Sequence, residues 1–245
     1  MPTVLEKVVV LGFLEIGSHP DSKPATMRSM SDQSTAITAE HFRYIAAHTT
    51  PEDDFLRALK RAATAAGIPS IWIAPEQASF MQILLRASAA HDVVEVGTLA
   101  GYSAIAMARA LPASGKVRTI ELDPARVAFA REWVARSDVA GKVEVIEGAG
   151  MDVLEGFAAD SADAAFLDAD KASYPLYLEE CLRIVKRGGL ILADNAFAFG
   201  QLFDASPTDR EVPAIRAFNE RIAKTERIDG VIVPIGDGLW VGVKR

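Results

Sequence analysis

The chain has 245 residues, of which 50% are hydrophobic, and it carries a formal net charge of −7 and one cysteine. This length and apolar content are sufficient for one α/β domain with a full core. The negative charge argues against nucleic acid as the main partner, because phosphate binding needs a basic face. Since Cys181 has no disulfide partner in the chain, we expect a cytoplasmic location, and no apolar run reaches the length of a membrane span.

The first 37 residues are interpreted as an N-terminal extension and linker. Residues 8–14 are apolar but too few to span a bilayer, and residues 17–36 are rich in Ser, Pro, Thr and Asp, as is typical of a linker. The extension either pairs with a partner subunit or lies upstream of a true start at Met30, and both alternatives stay open. We predict a single domain over residues 38–245.

Helices and strands alternate along this domain. Thr50 and Pro51, followed by acidic residues, are typical of a helix start, and Gly67 is typical of its end. Further helices are predicted at 75–90, 103–111, 124–136, 151–158, 174–186 and 210–225. Strands are predicted at 92–96, 116–121, 143–147, 163–167, 189–193, 231–234 and 239–243. This alternation predicts a Rossmann-like α/β fold, with helices on both faces of a mostly parallel seven-stranded sheet that ends in an antiparallel strand.

A glycine turn follows the first predicted strand. Gly97 allows the backbone to approach a ligand, and the helix that begins at Ser103 presents an N-terminus that attracts a carboxylate or phosphate. The pattern is not a complete G-x-G-x-x-G, so a dinucleotide site is only partly supported. The second strand ends at Glu121, about 24 residues after Gly97, a spacing that suits a carboxylate holding ribose hydroxyls. Acids at strand ends are common, so this element alone is not specific.

Carboxylates also follow two later strands. Asp168 ends one apolar run, and Asp194 and Asn195 end the next, so an open parallel sheet would bring the three side chains together at its carboxyl edge. Taken singly, these residues fit helix caps and turns, which Asp and Asn favour. Taken together, and beside the glycine turn, three hard oxygen ligands favour a site for Mg²⁺ or Mn²⁺ rather than zinc. Lys171 lies three residues after Asp168, within reach to act as a base or a charge clamp.

These motifs resemble those of the class I S-adenosylmethionine-dependent, metal-dependent O-methyltransferases of the catechol and caffeoyl-CoA type. The resemblance covers roughly residues 38–245. The matching segments are Glu95-Val-Gly97 to Gly101-Tyr102-Ser103, Thr119-Ile-Glu121-Leu-Asp123-Pro124, Glu147-Gly148-Ala149, Phe166-Leu-Asp168-Ala-Asp170-Lys171 with Tyr174, Arg187-Gly188-Gly189, Leu192-Ala-Asp194-Asn195 and Gly236-Asp237-Gly238-Leu239. The Asp-Ala-Asp-Lys and Asp-Asn elements are the specific ones.

The resemblance implies a methyltransferase sheet with S-adenosylmethionine (SAM) as cofactor, and a homodimer, because the family is commonly dimeric. Within it, Glu121 holds the ribose, Ala149 borders the adenine, and Ile73 lies over the cofactor. The complete set of implied cofactor contacts is Ile73, Glu95, Gly97, Thr98, Ser103, Glu121, Ala149 and Asp168. The metal, Mg²⁺ or alternatively Mn²⁺ or Ca²⁺, is held by Asp168, Asp194 and Asn195. Catalysis is assigned to Lys171 together with Asp168.

Some positions depart from the family pattern, and they concern the acceptor. A common Gly-Gln pair is Ala78-Ser79 here, an aromatic residue after the Asp-Asn pair aligns with Ala198, and an acid that helps hold catechol aligns with Trp240. We predict an acceptor pocket at Lys171, Asn195 and Trp240. Aromatic side chains that are candidates for its wall, or else ordinary core, are Trp72, Phe197, Phe199, Phe203 and Trp240.

The predicted reaction transfers a methyl group from SAM to a hydroxyl of a small catechol-like or polyphenolic acceptor. The site must align the two reactants and favour the oxyanion, with Lys171 taking the proton or holding the phenolate. One alternative is a methyltransferase for hydroxyuridine in tRNA, which the acidity of the chain argues against. Another is a nicotinamide-dependent oxidoreductase or a non-catalytic nucleotide-binding module, which the incomplete glycine pattern and the Asp-Ala-Asp-Lys element argue against.

Overall fold

A seven-stranded sheet forms the centre of the computed structural model, which describes residues 35–245. Its strands are β1 (Asp92–Val96), β2 (Lys116–Glu121), β3 (Val143–Glu147), β4 (Ala162–Leu167), β5 (Val185–Ala193), β6 (Ile228–Val233) and β7 (Leu239–Lys244). The spatial order is β3-β2-β1-β4-β5-β7-β6. Among the described strands, β7 alone runs in the direction opposite to the other six, so it is antiparallel to both of its neighbours, β5 and β6. The predicted sheet and its antiparallel C-terminal strand are therefore confirmed.

Helices cover both faces of this sheet, as the sequence predicted. They are α1 (Ala39–His48), α2 (Asp54–Ala65), α3 (Pro75–Ala87), α4 (Tyr102–Ala108), α5 (Pro124–Ala135), α6 (Gly150–Glu155), α7 (Tyr174–Ile184) and α8 (Val212–Lys224). Because side chains alternate along a strand, Val93 packs into one apolar cluster with Met81 of α3, and Val94 packs into another with Leu178 of α7 and Phe218 of α8. Cys181 lies in the second cluster, fully buried, as expected for a small apolar side chain.

The start of α2 differs from the prediction. Thr50 and Pro51 lie outside the helix, and Asp53 is the capping residue because its side chain accepts a hydrogen bond from the Leu56 N–H at 2.9 Å. The sequence offered two capping residues close together, and the carboxylate of Asp53 is the one that reaches the first turn. At α5 the expected cap is present, since the Asp123 carboxylate accepts from the Ala125 N–H at 2.8 Å.

Helix α1 was not predicted at all. None of its ten residues is buried, so it does not belong to the core that the predicted helices cover. The predicted N-terminal extension falls almost wholly outside the described residues, and its role stays a prediction. Within residues 35–245 no helix is both long and apolar enough to cross a membrane.

Candidate active site

The carboxyl ends of four neighbouring strands lie side by side at one edge of the sheet. The backbone N–H of Gly97, after β1, donates to the Ile120 carbonyl of β2 at 3.0 Å. On the other side, Asp168 N–H donates to the Val96 carbonyl at 2.9 Å, and Asp194 N–H donates to the Leu167 carbonyl at 3.0 Å. The sheet therefore brings the glycine turn and the predicted metal ligands into one crevice, where open α/β sheets bind ligands.

Gly97 is placed where no other residue fits. Its φ of +103° favours glycine, and a Cβ built on it would lie 1.9 Å from the Asp168 carbonyl oxygen. The turn that follows ends at Gly101, which precedes α4 and also has a positive φ of +87°. Ser103 is buried in the first turn of α4. The glycine turn is thus in backbone contact with the segment that carries the first predicted metal ligand.

Glu95, on β1, carries a buried carboxyl group without a partner. Its side chain is fully buried, and neither Oε atom has a hydrogen-bond partner within the described part of the chain. Burial raises the pKa of Glu95 to about 8, although the nearby Ser103 and Thr119 hydroxyls lower it. The Thr119 hydroxyl forms its hydrogen bond with the Thr98 hydroxyl, at 2.6 Å, and not with Glu95. An orphaned acid of this kind is suited to receive a cationic group of a ligand.

Glu121 ends β2 and contacts the backbone of both adjoining loops. One carboxylate oxygen accepts from the Leu99 N–H at 2.9 Å, and the other accepts from the Asp123 N–H at 3.0 Å. The guanidinium Nη1 of Arg126 lies 3.9 Å from Glu121 Oε1. Because an ionised carboxylate has about four acceptor positions, two remain for ligand hydroxyls. The loop contacts fix the orientation of the group that the sequence assigns to the ribose.

Lys171 begins the short 3-10 turn (Lys171–Ser173) that follows β4, and it is nearly enclosed, with only 4% of its surface exposed. Its Nζ donates to the Tyr174 hydroxyl at 2.6 Å and to Asp168 Oδ1 at 3.2 Å. The Tyr174 hydroxyl in turn donates to the Leu167 carbonyl at 3.0 Å. Asp170 has a different role, since its carboxylate accepts from the Ser173 N–H and the Tyr177 hydroxyl and so holds the following turn. The amine is therefore held in place by two side chains, with one further position free for an acceptor.

Asp168 and Asp194 are two acids that oppose each other's ionisation. Burial raises the pKa of Asp168, against the charge of Lys171, which lowers it. Burial and then the charge of Asp168 raise the pKa of Asp194 to about 7. Gln77 of α3 donates its amide N–H to Asp194 Oδ1 at 2.6 Å, and its side chain is buried. A buried carboxyl group and a half-buried one that repel each other, both with hard oxygen atoms, fit a divalent cation, which would stabilise both charges.

Asn195 supplies the third oxygen of the predicted metal site. Its φ of +65° lies in the left-handed region, and its amide nitrogen donates to Asp237 Oδ2 at 3.1 Å, which leaves the amide oxygen as the potential ligand. In residues 35–245 no group of three His, Cys, Asp or Glu side chains is placed to hold a metal. The candidate site, with two acids and one amide, is of a different composition.

The remaining predicted residues differ in how far they are exposed. Ala149 directly precedes α6, and Ile73 is buried shortly before α3. Trp240 is also buried, and its Nε1 donates to the Asn219 amide oxygen at 2.7 Å, so it has little ring surface exposed. By contrast, Phe199 is 40% exposed and Phe203 is 94% exposed. Of the aromatic candidates for the acceptor wall, these two present the most free surface.

Three residues with contacts to the site were not singled out in the sequence. Gln77 reaches Asp194 from α3, Tyr174 holds Lys171, and Asp237 holds Asn195. Tyr174 and Asp237 do stand in the matching segments, but nothing in the local pattern indicates what they touch. Gln77 and Asp194 are 117 positions apart, so their contact depends on the tertiary fold.

The chain is similar to known proteins over most of its length. Residues 46–245 match the family model described as O-methyltransferase. A catechol O-methyltransferase from Niastella koreensis is 36% identical over 197 residues, which are 79% of this chain and 87% of that protein. A solved O-methyltransferase from Bacillus cereus, in complex with SAH, is 31% identical with a TM-score of 0.76, covering 83% of this chain and 96% of its own.

A second solved structure, the O-methyltransferase TomG from Streptomyces achromogenes in complex with SAM, is 27% identical with a TM-score of 0.74. It covers 84% of this chain and 96% of its own. These findings confirm the predicted family and the predicted enzyme class over the alternatives of an oxidoreductase or a non-catalytic module. By its match over residues 46–245, the chain belongs to the O-methyltransferase family.

Proposed function

We propose that this enzyme transfers a methyl group from SAM to a hydroxyl of a small catechol-like or polyphenolic acceptor, with the help of a divalent metal ion. The observation that carries the proposal is the gathering of Glu95, Glu121, Asp168, Asp194 and Asn195 at the carboxyl edge of the sheet. Support for the cofactor and the acceptor comes from relatives, one of which is a catechol O-methyltransferase and two of which were solved with SAH or SAM.

SAM binds along the glycine turn in this proposal. Its ammonium group pairs with the orphaned carboxyl of Glu95, and its ribose hydroxyls donate to Glu121. Gly97 is a further proposed contact, and its backbone is held against the carbonyl of Asp168. The other proposed contacts are Ile73, Thr98, Ser103, Ala149 and Asp168.

The metal is held by the oxygen atoms of Asp168, Asp194 and Asn195, which suit Mg²⁺, Mn²⁺ or Ca²⁺. When bound, the ion supplies positive charge that favours the ionised form of an acceptor hydroxyl. Gln77 positions Asp194 through the 2.6 Å hydrogen bond to Oδ1. The two acids explain why a cation is needed here, since each raises the cost of ionising the other.

Lys171 is the proposed base. After Nζ has released one proton to solvent, its neutral amine takes the proton of the acceptor hydroxyl, the oxygen attacks the methyl carbon, and the bond between that carbon and the sulfonium sulfur breaks to leave S-adenosylhomocysteine. Tyr174 and Asp168 hold Nζ in position. We place the acceptor between Lys171 and Asn195, as the sequence led us to expect, and not against the ring of Trp240, which is buried.

A panel of catechols and single phenols tests this function. Methylation of vicinal diols, lost after exhaustive treatment with EDTA and restored by Mg²⁺ or Mn²⁺, is the expected result. Full activity after chelation would refute the metal mechanism, and activity on hydroxyuridine in tRNA without activity on any catechol would refute the acceptor class.

We also propose that the enzyme is a homodimer in the cytoplasm, supported by the apolar residues 8–14 and by the single cysteine.

A further inference from the structure

The turn Gly236-Asp237-Gly238 between β6 and β7 has no task in the reaction described above, yet it contacts the segment that follows β5. The Ala196 N–H donates to the Gly238 carbonyl at 2.9 Å, and the Phe197 N–H donates to the Asp237 carbonyl at 2.8 Å. A Cβ on Gly238 would lie 2.8 Å from Phe197 Cγ, so the close approach depends on glycine. The turn is therefore hydrogen-bonded to the backbone that immediately follows the candidate metal ligands.

The Asp237 side chain adds two further contacts through one oxygen atom. Its Oδ2 accepts from the Asn195 amide nitrogen at 3.1 Å and from the Phe199 N–H at 2.9 Å. The segment held in this way is strained, since Asn195, Ala198 and Phe199 all have φ between +53° and +65°. Non-glycine residues keep such a conformation only where surrounding contacts impose it, because each residue held in this way adds about 1–3 kcal/mol of backbone strain.

The chemistry of Asp237 also decides which way the Asn195 amide faces. A carboxylate offers only acceptors, so it must meet the amide nitrogen and not the amide oxygen. The oxygen is thereby directed away from Asp237, and it is the only atom of this side chain that suits a hard cation. Without Asp237, the amide could rotate and present its nitrogen to the metal.

We propose that Asp237 is a positioning residue that orients the amide oxygen of Asn195 toward a divalent metal ion. This inference rests on the proposed metal site. It differs from a simple charge effect, in which Asp237 would attract the cation through its negative charge alone. Substitutions at this one position separate the two cases.

The experiment measures Mn²⁺ affinity from the electron paramagnetic resonance signal of free Mn²⁺, without any turnover. Asp237→Ala removes both hydrogen bonds and is expected to weaken binding by about 10–100-fold, as is typical for loss of a partner of a metal ligand. Asp237→Asn keeps an oxygen acceptor of the same reach and should stay near the wild type, whereas Asp237→Glu keeps the charge but misplaces it and should resemble Asp237→Ala. Asp229→Ala, which removes an exposed acid of the same C-terminal hairpin, is the matched control.

A double-mutant cycle with Asn195→Ala completes the test. If Asp237 acts through the amide, Asp237→Ala has little further effect on Mn²⁺ affinity once Asn195→Ala is present; additive losses would instead assign it to holding the turn. Binding by Asp237→Asn at least about 10-fold weaker than that of the wild type would also overturn the inference, and this comparison with the wild type needs no folded alanine variant. A wild type that binds no Mn²⁺ would overturn the metal site itself and this inference with it.

Discussion

Glu95 is expected to make the ligand-free protein less stable as the pH rises. Burial raises the pKa of its carboxyl group from 4.5 to about 8. Between these two values the carboxyl group is ionised in the unfolded chain but protonated in the folded protein, so the folded state binds one more proton. Stability therefore decreases with increasing pH across this range and is fully retained only below about pH 4.5.

The magnitude follows from the size of the pKa change. One pKa unit corresponds to about 1.4 kcal/mol, so a change from 4.5 to about 8 corresponds to at most about 5 kcal/mol in the free energy of unfolding. Glu95→Gln keeps the shape of the side chain and removes the titration. The variant should gain stability relative to the wild type by up to about 1.4 kcal/mol for each pH unit, until about pH 8, and then keep a constant advantage.

Urea unfolding of both proteins between pH 4.5 and 9, in the presence of EDTA, measures this difference. Glu147→Gln is the matched control, because Glu147 ends the neighbouring strand β3 in register with Glu121 but is exposed. Its stability should follow that of the wild type at every pH. If the curves for Glu95→Gln and the wild type also run parallel, Glu95 is not a buried protonated acid.

Glu95→Gln, which should stabilise the ligand-free protein, should weaken its binding of SAM. At pH 7 the free enzyme holds Glu95 protonated, so pairing with the ammonium of SAM requires release of close to one proton, which calorimetry in buffers of different ionisation enthalpy detects. Glu95→Gln should release none and bind SAM about 10–100-fold more weakly, since a hydrogen bond to a charged group contributes roughly 1.5–3 kcal/mol. Absence of proton release in the wild type would remove Glu95 from the ammonium site.

Glu121→Ala should weaken SAM binding by about one to two orders of magnitude, because it removes a charged acceptor for ribose hydroxyls. The control Glu147→Ala should leave the Kd for SAM, measured by calorimetry, unchanged. Equal losses of affinity in the two variants would mean that only the overall charge of the protein matters. Lys171→Ala should lower kcat by about 10²–10⁴-fold while the Kd for SAM stays constant, and near-native kcat would leave Lys171 as a structural partner of Tyr174. Light scattering of the full chain should give a dimer at micromolar concentration, and a monomer would contradict the proposed assembly.

The sheet could be predicted because its signals are local. Apolar runs such as 163–167 end in acids or glycines, and every predicted strand is present in the structure, although β5 begins four residues and β6 three residues before the predicted start. The carboxyl-edge rule then places Asp168 and Asp194 near each other without knowledge of any contact. The parts of the site that follow from strand order were therefore accessible from the chain alone.

The contacts that hold the ligands in place were not accessible in this way. Gln77 meets Asp194 and Asp237 meets Asn195 only because α3 and the β6–β7 turn pack against the same strand end. Neither contact leaves a periodic signal in the sequence. Similarly, Trp240 looked like a candidate for the acceptor wall, but its position on β7 places it in the core beside Asn219. Periodicity reports which face of a strand is apolar, and not which neighbour will cover it.

The backbone contact between Gly97 and the Asp168 carbonyl has a consequence for how this enzyme can be modified. The glycine turn and the segment that carries the proposed metal ligand Asp168 meet without an intervening side chain, so a substitution that displaces one displaces the other. Cofactor affinity and metal affinity are therefore poor targets for separate engineering. Substrate range can be changed with less disturbance at the outer aromatic residues Phe199 and Phe203, because their side chains are exposed. Libraries aimed at new acceptors should begin with these two positions and leave the strand ends unaltered.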